Sequence, residues 1–134
     1  MTMKVTKDSI DLGVVIRDSE AALRFYRDTL GLEHVMDTPL PMGGTMHRML
    51  CGSSLIKLVR LDDMPSAANP PGGLPAATGL RYFTITVDNL QEVLDDCAAA
   101  GYQVVWQKRE ARPGVFVGMV EDPEGNWVEL LAES

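Results

Sequence analysis

The sequence predicts an α+β protein built from two tandem β-α-β-β-β modules, and three observations carry that expectation. Period-two alternation opens both halves. Leu12, Val14 and Ile16 share one face of an extended run at residues 11–17, and Phe83, Ile85 and Val87 share one face of a run at 82–87. Corresponding landmarks recur at a constant spacing: Asp11 and Tyr82 are 71 residues apart, and Gly31 and Gly101 are 70 apart. Between the halves, residues 62–79 hold four prolines and three glycines, the composition of a connector.

The elements follow in order. Asp18 or Ser19 caps a first amphipathic helix running to about Leu30, which Gly31 ends in a left-handed conformation. Extended segments follow at 33–37, 45–50 and 54–60, with Gly43-Gly44 as a turn. No Gly-x-x-x-x-Gly-Lys pattern accompanies those glycines, so they are not a phosphate loop. In the second half Asn89 caps a helix, with Glu92 placed as in a capping box and Gly101 closing it. Strands are expected at 102–108, 115–120 and 127–131. A lone module of about 60 residues buries too little surface to be secure. Residues 1–134 are therefore expected to form a single domain, with module one at about 9–61 and module two at about 80–132. The two sheets are expected to associate through edges or inner faces, within one chain or across a dimer.

Composition narrows the class. With 46% apolar and 23% charged residues the chain is globular in character, not disordered. No apolar run approaches the roughly 20 residues of a membrane span. Twelve basic against nineteen acidic residues give a net charge of −7, which disfavours nucleic acid and anionic membrane surfaces as partners. Cys51 and Cys97 are too few for a disulfide scaffold and lack metal-ligand spacing. Cys97 reads as helix packing. The first residues, Met1 to Asp8, carry no signal-peptide apolar block. The expectation is a cytoplasmic protein whose partner is a small molecule, a second copy of itself, or both.

The run Leu12-Gly-Val-Val-Ile-Arg-Asp18, followed by Ala22-Leu-Arg-Phe-Tyr-Arg-Asp-Thr-Leu-Gly-Leu32, resembles the opening of the vicinal oxygen chelate superfamily. That group includes glyoxalase I, bleomycin-resistance proteins and extradiol dioxygenases. The ending Asp122-Pro-Glu-Gly-Asn-Trp-Val-Glu-Leu130 is similar to its closing turn and last strand. The resemblance implies curved sheets enclosing a cleft. It also implies a divalent metal held by one residue from the first and one from the last strand of each module, usually His, Gln or Glu. Carried onto this sequence, those positions are Asp11, Lys57, Tyr82 and Glu129. Lys57 is the decisive departure, since an ammonium repels a cation where a carboxylate would attract it. The standard four-ligand metal site is thus absent. If a divalent metal binds, Asp11 and Glu129 with His47 are its candidate ligands.

Chemistry at such a cleft has a direct reading. Lys57 stands where the metal's charge would be and can stabilise an enolate or hold a carboxylate. Asp11 or Glu129 can act as a base, Tyr82 can donate a proton or hydrogen bond, and His47 is a further acid/base candidate. The plainer alternative is an ion pair of Lys57 with Glu129 or Asp11 filling a retired site. For His47 the alternative is a surface or core-edge histidine, and His34 reads as a solvated residue. Trp127 shares a strand face with Glu129 and is a candidate substrate contact, whereas Trp106 reads as core packing. Met49, with Met42, Met46 and Met119, offers an adaptable apolar lining. Two functions fit: a lyase or isomerase acting on a small oxygenated metabolite, or a non-catalytic protein that sequesters a small molecule or antibiotic. An ancillary interaction domain with a filled cleft is the blander third.

Overall fold

A computed structural model describes residues 2–133, and the chain divides after Ser66 into two compact units. The first contains β1 (Leu12–Val15), α1 (Ser19–Leu23), β2 (Glu33–Pro39), β3 (Gly44–Cys51) and β4 (Ser54–Leu61). The second contains β5 (Tyr82–Thr86), α2 (Leu90–Ala99), β6 (Val104–Arg112), β7 (Val115–Glu121) and β8 (Trp127–Ala132). Each unit is one four-stranded sheet, ordered β1-β4-β3-β2 and β5-β8-β7-β6. The paired β-α-β-β-β modules expected from the repeat are thus present, and neither sheet closes on itself.

In both units the last strand lies between the first and the third, parallel to the first and antiparallel to the third. The parallel partner is reached across a helix and two strands, as a crossover requires. β1 starts one residue later than the alternation suggests. The Asp11 side chain, instead of its backbone, accepts the Leu55 N–H at 2.8 Å.

Asp18 settles the first cap: its carboxylate accepts the Ala21 N–H at 3.1 Å. The helix does not continue as a plain α-helix to Leu30. Residues Arg24–Thr29 take a π-helical turn, in which the Leu30 N–H donates to the Phe25 carbonyl at 2.9 Å. Phe25 and Tyr26 are adjacent in sequence, yet both are fully buried there and meet edge to face at 4.8 Å. Each contributes about 1.5–3 kcal/mol by leaving water. Gly31 follows at φ +81, as the helix stop requires. Asn89 departs from expectation, because its side chain caps no backbone N–H and instead donates to the Glu92 carboxylate at 3.3 Å.

Each helix covers one face of its own sheet. In unit 1 the covered face buries Ile16, Met49, Ile56 and Leu58, and in unit 2 it buries Val120, Val128, Leu130 and Ala132. Gly118 lies under α2, where an added Cβ would come within 2.8 Å of the Leu94 side chain. The absence of a side chain therefore sets how closely the helix approaches.

The second half of the connector belongs to unit 2 and is structured. The Arg81 guanidinium donates to the Gly73 carbonyl (2.9 Å), the Asn69 side chain (3.0 Å) and the Pro70 carbonyl (3.0 Å). Asn69 in turn donates to the Glu124 carbonyl and Asn126 in the turn before β8. These bonds set Gly73 against the Trp127 ring at φ +65, where a methyl group would fall 2.0 Å from the indole. Gly73→Ala should force the connector off Trp127, shift tryptophan emission to the red and destabilise unit 2 by about 1–3 kcal/mol. Gly79→Ala, at φ +98 in open space, is the matched control and should cost no more than about 1–2 kcal/mol. Equal losses in chemical denaturation would mean that backbone strain alone, not the indole contact, matters.

Candidate functional site

The face of each sheet that its helix leaves uncovered carries the polar groups. In unit 1, Gly13, Lys57, Arg48 and Met36 form one row across the four strands, since Gly13 pairs with Lys57, Lys57 with Arg48, and Arg48 with Met36. In unit 2 the equivalent row is Thr84, Glu129, Met119 and Trp106.

Lys57 is half-buried, and among the described residues of unit 1 it makes no hydrogen bond or ion pair. Its cross-strand neighbour Arg48 donates through Nε to the Thr38 hydroxyl at 3.0 Å and has no carboxylate partner in that unit. Two cations directly opposite on one sheet face repel each other. Their proximity is favourable only with an anion between or beside them. Arg48 was readable in the sequence but missed: Gly52-Ser53 is a two-residue hairpin turn with Cys51 opposite Ser54, which fixes Arg48 opposite Lys57.

Asp11 precedes β1, is exposed, and is already engaged. Its carboxylate accepts from Lys7 Nζ at 2.7 Å and from the Leu55 N–H at 2.8 Å. Those two bonds hold its carboxyl below the ordinary carboxylate range, with Lys57 adding a smaller pull in the same direction. A carboxylate so stabilised is a weak base.

Glu129 is held differently. Its Oε1 accepts from the Thr84 hydroxyl, directly across the β5–β8 pair, at 2.7 Å. Tyr82 sits two pairs along the same ladder, on the same face, opposite Trp127, and is 45% exposed. Trp127 donates its indole N–H to Glu121 at 3.2 Å and meets Trp106 edge to face at 6.1 Å, while the Arg109 guanidinium lies 4.2 Å over the Trp106 ring. Trp106 is therefore part of the uncovered face and not of the helix-side core, contrary to the expectation from the usual fate of tryptophan. Thr84, Glu121 and Arg109 were not singled out by the sequence, because cross-strand pairing, not local pattern, brings them there.

His47 and Met49 lie elsewhere. β3 turns both toward the helix-covered face, away from Lys57 and Arg48, and Met49 is fully buried in the core. His47 reaches Ser19 at the start of α1 through Nε2 (2.9 Å) and Asp37 through Nδ1 (2.8 Å). His34 also meets Asp37, at 2.6 Å, so it is not simply a solvated residue. Neither cysteine is poised as a nucleophile: burial raises the Cys51 thiol and, with Asp96 adding to it, pushes Cys97 up to about 11.

The four positions nominated for a metal do not make a metal set. Lys57 offers an ammonium, and Asp11 is occupied by a lysine and a backbone donor, leaving one carboxylate and one phenol. No helix among the described residues is long and apolar enough to cross a membrane.

The hydrogen bonds from His47, first, and His34 hold the Asp37 carboxyl below its ordinary value of 3.8. A depressed native value means stabilisation that is present above the unfolded value and lost as pH falls through the native one. Asp37→Asn should therefore cost about 0.5–1 kcal/mol near neutral pH, since the carboxylate is half exposed. The difference from the parent chain should shrink below about pH 4 in urea denaturation curves.

The family model of the Glyoxalase/Bleomycin resistance protein/Dioxygenase superfamily matches residues 9–130. Among solved structures, a glyoxalase family protein from Bacillus cereus superposes with a TM-score of 0.80 at 16% identity, over 98% of this chain and 97% of that one. A putative glyoxalase family protein from Bacillus anthracis gives 0.67 at 24% identity, over 98% and 100%. The trypanothione-dependent glyoxalase I of Leishmania major gives 0.70 at 19% identity, over 96% and 88%. No curated protein matches the sequence. At these identities the structural likenesses speak for the fold, and the family match covers nearly the whole chain: it belongs to the Glyoxalase/Bleomycin resistance protein/Dioxygenase superfamily.

Proposed function

We propose that this chain is a lyase- or isomerase-type enzyme acting on a small oxygenated acid or ketone, without a metal at the family's usual position. The observation that carries the reading is the Lys57–Arg48 pair, two cations side by side on an uncovered sheet face, with no hydrogen bond or ion pair to a carboxylate among the described residues of their own unit. Such a pair suits a substrate carboxylate, or an enolate oxygen that gains charge as a proton leaves the adjacent carbon. Glu129 is the proton acceptor in this scheme, with its carboxylate oriented by the Thr84 hydroxyl at Oε1. Tyr82 donates a hydrogen bond to the same substrate. Returning the proton to a different position gives isomerisation, and loss of a leaving group from the enolate gives elimination.

A second reading is favoured by the Trp106–Trp127 pair with Arg109 stacked on it. That aromatic shelf suits a planar ligand held without chemistry, as in a sequestration protein.

Proton NMR in deuterium oxide separates the two, by following exchange next to the carbonyl across a panel of small 2-oxo and 2-hydroxy acids. Catalysed exchange is expected, falling about 10²–10³-fold in Lys57→Met and about 10²–10⁴-fold in Glu129→Gln. Lys57→Met should be as stable as the parent or slightly more so, because it removes a like-charge pair. Exchange at full rate in Lys57→Met overturns the role of the Lys57–Arg48 pair, and no exchange in the parent chain overturns the enzyme reading. Ligand-induced thermal stabilisation without exchange in the parent chain transfers the assignment to sequestration. A homodimer accompanies either reading, and a stable monomer in sedimentation velocity at micromolar concentration refutes it.

A further inference from the structure

A group of metal-ligating side chains lies away from the uncovered face, on the helix side of unit 1. Asp37 and His47 are directly opposite across the β2–β3 ladder. His34 is three residues before Asp37, a spacing that in a regular strand puts two side chains on opposite faces. The ladder shows why they coincide: His34 pairs with Met49 and Met36 with Arg48, so Val35 is an extra residue in a β-bulge. The bulge returns His34 to the face shared by Asp37, His47 and Met49. One ligand atom from each of His34, Asp37 and His47 lies within 4.8 Å of the other two.

We infer that His34, Asp37 and His47 form a binding site for a divalent transition cation of the zinc class. Two imidazoles and one carboxylate are the donor set that such ions prefer and that calcium and magnesium do not. The Asp37 oxygen is 2.6 Å from His34 Nε2 and 2.8 Å from His47 Nδ1. Zinc bonds of about 2.0–2.1 Å in tetrahedral geometry separate neighbouring donors by about 3.3 Å, so the two Asp37 contacts must open by roughly half an ångström, and all three ligand atoms already lie within 4.8 Å of one another. Ser19 completes the arrangement from the next layer. Without metal, His47 Nδ1–H donates to Asp37; once an ion takes the place of that proton, Nε2–H can donate to the Ser19 hydroxyl 2.9 Å away and fix the ring. Three protein ligands leave one coordination position, on the side where Asp37 is half exposed, for water or a ligand oxygen. The ion would tie edge strand β2 to β3 beside the start of α1.

The test titrates the full chain, first stripped of metal by dialysis, with Zn²⁺ and separately with Co²⁺. One Zn²⁺ per chain is expected by calorimetry, with a rise in melting temperature and visible cobalt absorption of four-coordinate strength. Binding should weaken at least tenfold in His34→Ala and in Asp37→Asn, neither of which removes a core side chain. It should also weaken on acidification, as for any site whose ligands must bind without their protons. Mg²⁺ should give no heat and no shift. Absence of any zinc-induced heat or thermal shift in the parent chain overturns the inference. Zinc binding of unchanged strength in the double variant His34→Ala/Asp37→Asn also overturns it, because the ion then sits elsewhere.

Discussion

Everything on the uncovered faces depends on one pairing, the first strand of each module lying parallel to the last. That contact joins residues more than 40 positions apart, Leu12 with Ile56 and Phe83 with Val128. It must form against the chain entropy of closing such a loop, and hydrophobic burial under the helix supplies the drive. Once formed, it leaves little freedom. A shift of one residue would carry Ile56, Leu58, Val128 and Leu130 out of the core and put Lys57 and Glu129 into it. The cost of burying those charges holds the register, so the same side chains that define the candidate chemistry also guard the fold.

The architecture was legible in the sequence because it rests on local, periodic signals. Alternation at Leu12-Val14-Ile16 and Phe83-Ile85-Val87, and the glycines Gly31 and Gly101, mark features that a single segment specifies by itself. The π-helical turn at Arg24–Thr29 was not legible, since it answers to the need to bury Phe25 and Tyr26 together. Much of the candidate site was likewise hidden. Lys57 and Glu129 could be named from the family resemblance, but their partners Arg48 and Thr84 come from register. His47 illustrates the limit best. Strand alternation correctly grouped it with Met49 but could not say which face the helix would cover.

The two modules have kept their geometry and exchanged their chemistry. At matching points of the two rows stand Gly13 and Thr84, Lys57 and Glu129, Arg48 and Met119, Met36 and Trp106. One face concentrates positive charge, whereas the other offers a carboxylate beside an aromatic shelf. A repeat whose copies diverge in this way can present a cation and a base from equivalent scaffolds, with no change in either backbone plan.

The bulge at Val35 reaches beyond the three side chains it assembles. A bulge is a dislocation in a hydrogen-bond ladder, and a dislocation can migrate. Moving it one residue toward Glu33 would seat Val35 where His34 now stands and send His34 to the other face. Val35 is 44% exposed as things are, so the strand forgoes burying a valine while it holds a histidine against Asp37. Hydrophobic burial and the polar contact are thus direct competitors for one position in β2.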